Sequence, residues 1–172
     1  MSMLEGKVAL VTGGGQGVGQ GIALAMASAG AKLVVTGRTL EKLEATCALI
    51  AERGGESLPL EANVKSAEDL SRIVSDAVAK FGRLDILVNN AQEVPNGPLS
   101  DITDEAYLAG FESGPLATLR LMNLVRPIMV KNGGGTIFNL VSSAGIRWDM
   151  AGYGAYGSVK QAIRPLTRAA AS

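Results

Sequence analysis

The glycine-rich segment near the start of the chain constrains the fold more than any other feature of the sequence. Residues 7–11 form a short, valine-rich apolar run that predicts a fully buried strand. Five of the next eight residues are glycines, and an apolar, helix-like segment follows at 22–29. A strand, a glycine turn and a helix form the first half of a nucleotide-binding βαβ unit, because glycines let a pyrophosphate approach the backbone and a helix N-terminus offers free amides. The spacing is Thr-Gly-x-x-x-Gly-x-Gly rather than Gly-x-Gly-x-x-Gly, and taken alone the cluster is equally compatible with a flexible turn.

Strand-like and helix-like segments alternate along the rest of the chain. Strand-like runs occupy residues 32–36, 57–62, 84–88 and 136–141, and helix-like runs occupy residues 39–53, 66–81, 103–130 and a last segment that ends near Ala171. Gly114-Pro115 interrupts the longest helix and is expected to kink it. The pattern predicts a single α/β domain over residues 1–172, with a doubly wound, Rossmann-like parallel sheet and helices on both faces.

The distribution of charge and hydropathy excludes several function classes. Sixteen basic and sixteen acidic residues cancel without any block of like charge, which argues against a nucleic-acid partner. The N-terminal residues show no basic leader with a long apolar core, and no apolar run approaches the roughly 18 residues needed to span a bilayer. We therefore expect a cytoplasmic protein that has a small-molecule substrate and no membrane partner.

One cysteine and the absence of histidine limit the chemistry further. A disulfide within the chain, a cysteine-histidine zinc site and Ser-His-Asp catalysis are all excluded, and no metal site is expected. Cys47 falls in register with Leu40, Leu43 and Ile50, which predicts that it packs in the buried stripe of a helix. Proton chemistry must therefore come from Tyr, Lys, Asp or Glu, and harder chemistry from a bound cofactor.

Tyr156 and Lys160 are the strongest candidates for that proton chemistry. If the segment after Gly154 is helical, the two side chains lie one turn apart on the same face, with Cβ atoms roughly 5–6 Å apart. A free tyrosine, with a pKa near ~10, exchanges protons poorly at neutral pH, and a fixed ammonium favours its phenolate. Ser143, at the end of the preceding strand, could hydrogen-bond the oxygen that Tyr156 protonates. Taken alone, however, a tyrosine and a lysine four residues apart are also compatible with simple packing or exposure to solvent.

The end of the second strand bears on the choice of cofactor. In a doubly wound sheet an adenosine ribose lies there, and an acidic residue would favour NAD by accepting bonds from both ribose hydroxyls. This chain has Gly37 at that place, followed by Arg38. The missing carboxylate and the added guanidinium favour a 2′-phosphate and hence NADP(H) over NAD(H), although Arg38 could also simply face solvent beside a helix start.

Together these residues resemble the short-chain dehydrogenase/reductase family in its single-domain branch. The resemblance extends from about Leu4 to Ala171, essentially the whole chain. It rests on Thr12-Gly13-x-x-x-Gly17-x-Gly19, on Asp85-Ile86-Leu87-Val88-Asn89-Asn90-Ala91, on Ser143 and on Tyr156-x-x-x-Lys160. Each motif is weak or moderate by itself, and their joint occurrence in this order is specific.

The resemblance implies an NAD(P)-dependent oxidoreductase with three catalytic residues. Tyr156 would be the acid/base, Lys160 would assist it and hold the nicotinamide ribose, and Ser143, rather than its neighbour Ser142, would orient the substrate carbonyl. Asn89 would support the central sheet beside the cofactor. The cofactor-binding residues expected from the resemblance are Thr12, Gly13, Gln16, Gly17, Val18, Gly19, Arg38, Asn63, Val64, Asn89, Ala91, Tyr156 and Lys160.

Three positions depart from the family pattern. Gln92 replaces the glycine that usually follows the fourth strand, so that a side chain is expected to intrude near the cofactor. Gly114 replaces an asparagine of the long helix that is thought to anchor a water in a proton relay. No amide is therefore expected there, and Ser113 is the one candidate substitute. Asn63 stands where the family often has aspartate at the adenine contact and can still form hydrogen bonds.

The resemblance also implies that further secondary structure follows the last helix. Two functions are compatible with the sequence. Family members continue past the last helix, so we expect either a portion of a longer protein or an incomplete active site with a poorly covered sheet edge. The first hypothesis is an NADP(H)-dependent carbonyl reductase or alcohol dehydrogenase, similar to 3-oxoacyl reductases, with substrate contacts from Trp148 and Met150 in the loop 146–153. The alternative is a dinucleotide-binding regulatory or scaffold protein with little turnover. A homodimer or homotetramer, packed through the long kinked helix and the helix bearing Tyr156, is expected in the first case.

Overall fold

The computed structural model describes residues 2–147 and 151–171. Five strands of the described chain form one parallel sheet in the order β3-β2-β1-β4-β5. They are β1 (Val8–Thr12), β2 (Lys32–Gly37), β3 (Ser57–Glu61), β4 (Ile86–Asn89) and β5 (Thr136–Asn139). In the centre of the sheet Leu10 is aligned with Val34 on one side and with Leu87 on the other. The order reverses at β1, where the chain crosses from β3 to β4, and this confirms the doubly wound topology predicted from the alternating pattern.

Helices connect successive strands and cover both faces of the sheet. They are α1 (Gly17–Ser28), α2 (Leu40–Ala51), α3 (Ala67–Phe81), α4 (Asp104–Phe111), α5 (Ala117–Lys131) and α6 (Gly154–Ala170). Between α4 and α5 the segment Glu112–Leu116 is π-helical and contains Pro115, so the predicted interruption at Gly114-Pro115 is confirmed. Among the described residues no helix combines the length and the apolar character needed to cross a membrane.

The core consists of two apolar layers, one on each face of the sheet. Side chains of β1 alternate between them, because successive residues of a strand point to opposite faces. Val8 and Leu10 pack with residues of α3 and α5, whereas Ala9 and Val11 pack with residues of α1 and α2. Cys47 lies partly buried against the second layer, which confirms its predicted packing role.

Asp85 fixes the start of β4 at the amino-terminal end of the sheet. Its buried carboxylate accepts hydrogen bonds from the backbone N–H of Val8 at 3.0 Å and from the guanidinium of Arg83 at 2.6 and 2.8 Å. Burial alone would raise the pKa of Asp85, but the hydrogen bonds from Arg83 and Val8, with the charges of Arg83 and Lys7, lower it below its ordinary value. The carboxylate therefore links two neighbouring strands in its ionised form.

Most predicted element boundaries are shifted in the structure by one or two residues, and the largest shift is at the start of α1. The helix α1 begins at Gly17, five residues before the apolar run, because the end of the glycine turn already forms the first helical turn. The strand β5 ends at Asn139, and Val141 lies exposed beyond it. Phe138 of β5, an edge strand of the described sheet, is also exposed.

Candidate active site

A cleft of about 410 Å³ lies at the carboxyl ends of β1, β2 and β4. In an open α/β sheet, ligands bind outside the carboxyl ends of the strands at the point where the strand order reverses, and this cleft lies at that point. The expected cofactor contacts that line it are Gly13, Gln16, Gly17, Val18, Gly19, Arg38, Asn63, Val64 and Ala91. The structure thus brings together residues from four loops that are far apart in the sequence.

The glycine turn lies against the loop that follows β4. Gly13 has φ +67°, and a Cβ added to it would lie 2.8 Å from the side-chain nitrogen of Asn90. A Cβ added to Gly19 would overlap the carbonyl oxygen of Gly13. Both positions therefore require glycine. The result is an open backbone surface at the start of α1, which is the kind of cradle that accepts a phosphate.

Thr12 lies beneath the cleft rather than among its lining residues, and its predicted contact with the cofactor stays a prediction. It is buried, and its hydroxyl accepts hydrogen bonds from the backbone N–H groups of Asn90 and Ala91, both at 3.0 Å, and donates to the carbonyl of Val88 at 3.3 Å. The physical reason is that β1 and β4 are neighbouring strands, and the Thr12 hydroxyl links the end of β1 to the loop that follows β4. Thr12 therefore shapes the cleft floor.

Asn89 also lies outside the lining and supports the sheet. Its side chain is buried and donates a 2.8 Å hydrogen bond to the side-chain oxygen of Asn139 in β5. The amide of Asn139 in turn donates to the hydroxyl of Thr167 in α6 at 2.9 Å. The chain of hydrogen bonds connects β4 to α6, in agreement with the supporting role expected for Asn89.

Two polar residues that line the cleft, Asn63 and Gln16, are held by neighbours that the sequence did not single out. The backbone N–H of Asn63 donates to the Asp69 carboxylate at 2.9 Å, and this bond, with a second from Arg72, lowers the pKa of Asp69. The side chain of Gln16 accepts a 2.6 Å hydrogen bond from Lys42. Asp69 and Lys42 therefore hold two of the polar residues that line the cleft.

Tyr156 and Lys160 lie together in the first turns of α6, as their spacing predicted. The side chain of Lys160 is buried, with 6% of the residue exposed, and its amine donates a 2.7 Å hydrogen bond to the carbonyl oxygen of Leu140. The amine lies 5.8 Å from the centre of the Tyr156 ring. Burial lowers the pKa of Lys160 from 10.5 to about 8. An amine that has lost most of its water is thus fixed beside a half-buried phenol.

The turn Ser143–Gly145 packs directly on the start of α6. A Cβ added to Gly157 would lie 2.6 Å from the carbonyl oxygen of Ala144, so only glycine allows this approach. The hydroxyl of Ser142 accepts a hydrogen bond from the N–H of Ala144 at 3.2 Å and caps the turn, whereas Ser143 is exposed. This difference favours Ser143 over Ser142 as the hydroxyl that is available to a substrate.

Two of the three departures from the family pattern, Gln92 and Gly114, meet in space. A Cβ added to Gly114 would lie 2.9 Å from the side-chain nitrogen of Gln92 and 3.1 Å from Val159 of α6. The carboxamide of Gln92 therefore fills the notch that Gly114 leaves, which corrects the expectation that no amide is available there. Both polar atoms of this carboxamide are buried and form no hydrogen bond with the described residues.

Ser113 does not serve as the substitute that the sequence suggested. Its hydroxyl donates to the carbonyl of Ala109 at 2.6 Å and accepts from the backbone N–H of Glu93 at 2.9 Å. The hydroxyl is therefore occupied in fixing the loop after β4. Trp148 and Met150, the expected substrate contacts, lie outside the described residues.

Ser143, Tyr156 and Lys160 are not among the described residues that line the cleft. Gln92, which lines the cleft, and Val159 of α6 both lie against Gly114. Sequence reasoning missed Glu93, which lines the cleft directly after Gln92, and Asn90, whose side chain binds the glycine turn. The position of Asn90 in the strand-end motif was the one available signal for it.

Residues 7–172 match the family profile described as short chain dehydrogenase. A 12alpha-hydroxysteroid dehydrogenase from a Clostridium strain is 39% identical over all of this chain and 69% of its own length. Other curated relatives are matched over a smaller share of their length, 65% for an uncharacterized oxidoreductase from Mycobacterium tuberculosis.

Two solved structures share the fold closely. A metagenomic short-chain oxidoreductase in complex with NADP has a TM-score of 0.90 and 32% identity, covering 98% of this chain and 76% of that one. An NAD+-bound xylitol dehydrogenase has a TM-score of 0.92 and 30% identity, covering 98% of this chain and 65% of that one. The match over nearly the whole sequence, with the same sheet, confirms the resemblance. The chain belongs to the short-chain dehydrogenase/reductase family of oxidoreductases.

Proposed function

We propose that the protein is an NADP(H)-dependent oxidoreductase that interconverts a carbonyl and a secondary alcohol. The observation that carries this proposal is the pairing in α6: the desolvated Lys160 amine is held 2.7 Å from the Leu140 carbonyl oxygen, beside the phenol of Tyr156. Among the described residues no carboxylate pairs with Lys160, and a desolvated lysine beside a tyrosine is typical of a site built for proton transfer.

The glycine turn fits a dinucleotide. The close approaches at Gly13 and Gly19 leave no room for side chains, and the N-terminus of α1 supplies amides for a pyrophosphate. Asn63 and Val64 would meet the adenine, and Lys160 would hold the nicotinamide ribose. When bound, the nicotinamide would supply or accept the hydride.

The protein residues would handle the proton and the substrate oxygen. In the reducing direction, the hydroxyl of Tyr156 would donate its proton to the carbonyl oxygen of the substrate. The Lys160 ammonium would stabilise the phenolate that remains. Ser143 would donate a hydrogen bond to the same carbonyl oxygen and so orient the substrate.

The preference for NADP(H) rests on the end of β2. Gly37 provides no carboxylate for the ribose hydroxyls, and Arg38 lines the cleft with its guanidinium largely exposed. A guanidinium matches the geometry of a phosphate better than that of a neutral ribose. The solved relatives include an NADP complex and an NAD+ complex, so the family alone does not decide between them.

The substrate class is a secondary alcohol or the corresponding carbonyl. Relatives include a 12alpha-hydroxysteroid dehydrogenase and a sorbitol dehydrogenase, and both names describe oxidation of a hydroxyl group. A screening panel should therefore contain an oxo-steroid, a ketose and a 3-oxoacyl thioester.

We further propose a cytoplasmic homodimer or homotetramer that packs through α4, α5 and α6. Light scattering that shows a monomer in solution would contradict this assembly.

Tyr156→Phe tests the proposed function against the alternative of a nucleotide-binding regulatory protein. NADPH oxidation with the carbonyl panel should fall at least about 100-fold, because the proton donor is lost, while NADPH affinity changes by less than about threefold. Tyr107→Phe is the matched control, since Tyr107 donates to or accepts from Ser158 and lies on α4. The control should retain turnover.

The regulatory alternative predicts a different result. Wild type and Tyr156→Phe would then bind NADPH equally and would both be inert toward every carbonyl in the panel. That outcome would overturn the enzymatic proposal.

A further inference from the structure

Three charged side chains from three separate loops meet at the adenosine end of the cleft. Arg38 follows β2, Lys65 follows β3 and Glu93 follows β4. One carboxylate oxygen of Glu93 lies 3.0 Å from the guanidinium of Arg38 and 3.3 Å from the amine of Lys65, and the other lies 3.4 Å from that amine. We call these residues the Glu93 bridge. It joins loops that are up to 55 residues apart.

Glu93 is the one acidic side chain among the described residues that line the cleft. Its backbone is anchored, because its N–H donates to the Ser113 hydroxyl at 2.9 Å and that hydroxyl donates to the carbonyl of Ala109 at 2.6 Å. The carboxylate thus extends from a fixed point on the β4 side of the cleft to two cations on the β2 and β3 side. The arrangement does not depend on a freely moving loop tip.

The bridge occupies the groups that a 2′-phosphate would need. Carboxylates and phosphates are both anionic oxygen acceptors, and a guanidinium binds either of them through directed N–H bonds. Two cations around one carboxylate leave a net charge of about +1. The same two cations around a phosphate of charge near −2 leave a net charge of about zero. A phosphate that approaches Arg38 while Glu93 remains in place would meet a like charge.

We propose that Glu93 is a coenzyme-selecting residue, and that Lys65 joins Arg38 as a ligand of the 2′-phosphate. In the free protein the Glu93 carboxylate holds both cations. On binding of NADP(H) the 2′-phosphate takes its place, and the carboxylate turns out toward solvent, which its partial exposure allows. This inference rests on the proposed NADP(H) function and adds two residues to it.

The proposal predicts a selective gain when the carboxylate is neutralised. Glu93→Gln keeps the size and polarity of the side chain but removes the competing charge. Ligands with a 2′-phosphate should bind about tenfold more tightly, whereas ligands without it should change by less than about twofold. Lys65→Met should weaken binding of the phosphorylated ligands by about three- to tenfold and leave the others nearly unchanged.

Isothermal titration calorimetry of the full chain tests this without any turnover. The ligands are NADPH and NADH, together with the fragments adenosine 2′,5′-bisphosphate and adenosine 5′-monophosphate. Glu52→Gln is the charge-matched control. Glu52 is exposed just after the C-terminal end of α2, so this substitution removes one negative charge away from the cleft. Thermal melts verify folding of each variant, and Glu93→Ala repeats the test with a smaller side chain.

Three outcomes separate the inference from the function on which it rests. A selective gain in Glu93→Gln that disappears in the Arg38→Ala background supports the Glu93 bridge. No change, or an equal change for phosphorylated and unphosphorylated ligands, overturns the inference while leaving NADP(H) binding intact. If neither dinucleotide binds any of the proteins, both the inference and the proposed function are wrong.

Discussion

At the scale of single residues, Lys160 is the clearest conflict between stability and chemistry in this protein. Its amine is buried and donates a hydrogen bond to the neutral carbonyl of Leu140, and burial lowers its pKa to about 8. In the unfolded chain the same amine has a pKa near ~10.4. Between these two values the unfolded chain binds more protons than the folded protein, so the contribution of Lys160 to stability rises with pH.

The comparison of wild type with Lys160→Met measures this conflict. From pH 7 to pH 10 the free energy of unfolding of wild type should rise relative to that of the variant, by about 1–3 kcal/mol. Urea denaturation at several pH values provides the measurement. Lys131→Met, which removes an exposed lysine of α5, should show no such pH-dependent difference. A flat difference for Lys160→Met would mean that the amine is not desolvated in solution.

Gln92 and Gly114 form a second residue-scale feature, because the side chain of Gln92 fills the space that Gly114 leaves open. A Cβ at position 114 would lie 2.9 Å from the Gln92 nitrogen and 3.0 Å from its amide carbon. Gly114→Ala should therefore be less favourable in wild type than in a Gln92→Ala background, with a coupling energy of about 1 kcal/mol. A double-mutant cycle of denaturant unfolding measures it. Additive effects would show that the two positions do not pack together.

The sequence could identify these residues but not their arrangement. The four-residue spacing of Tyr156 and Lys160 suffices to place them on one helix face, because the helix repeat is fixed. The meeting of Gln92 with Gly114 depends on how the loop after β4 packs on a different helix, and no local pattern encodes that. For the same reason no local pattern indicated Glu93 at the cleft or Lys65 beside it.

At the scale of secondary-structure elements, the ends of β1 and β4 are joined by one hydroxyl. Thr12 accepts hydrogen bonds from two successive backbone N–H groups, those of Asn90 and Ala91. Thr12→Val keeps the shape of the side chain but leaves both N–H groups without this acceptor, and should lower the free energy of unfolding by about 2–4 kcal/mol. Thr12→Ser retains the hydroxyl and should lose less than half as much. A small loss in Thr12→Val together with a larger loss in Thr12→Ser would assign the effect to packing of the methyl group instead.

The elements themselves were largely predictable, and their exact ends were not. Buried strands are predicted from apolar runs, and α3 from the helix-like run 66–81. In the structure the Asp69 N–H donates a 3.1 Å hydrogen bond to the Ser66 hydroxyl at the start of this helix. Thr12 was expected in the cofactor site because it begins the glycine motif. It lies below the cleft because strand pairing requires its hydroxyl there, and pairing partners are not visible in the sequence.

At the scale of the whole molecule, the two ends of the sheet have different tasks. The carboxyl ends of the strands open into the cleft, whereas the opposite end is closed by Asp85 with Val8, Arg83 and Lys7. This division agrees with the general placement of ligand sites in doubly wound sheets. Stability and binding can therefore be perturbed separately from opposite ends of the sheet.

Asp85→Asn tests the closed end. The pKa of Asp85 is lowered in the folded protein, so its stabilising contribution is present above the unfolded pKa of ~3.9 and is lost as the pH falls through the folded value. The variant should be less stable than wild type by about 1–3 kcal/mol at pH 7, and the difference should shrink below about pH 4. NADPH affinity should be unchanged. Urea denaturation across this pH range provides the measurement, and a difference that persists undiminished at low pH would contradict the ionic role.

The central claim is that Tyr156 and Lys160 act on the reactive end of a dinucleotide held in the glycine cleft. A crystal structure of the full chain with NADPH tests it most directly. The account predicts that the pyrophosphate lies on the glycine turn at the start of α1 and that the Tyr156 hydroxyl and the Lys160 amine face the nicotinamide ribose. A dinucleotide bound elsewhere, or a Tyr156 hydroxyl directed away from the nicotinamide, would contradict it.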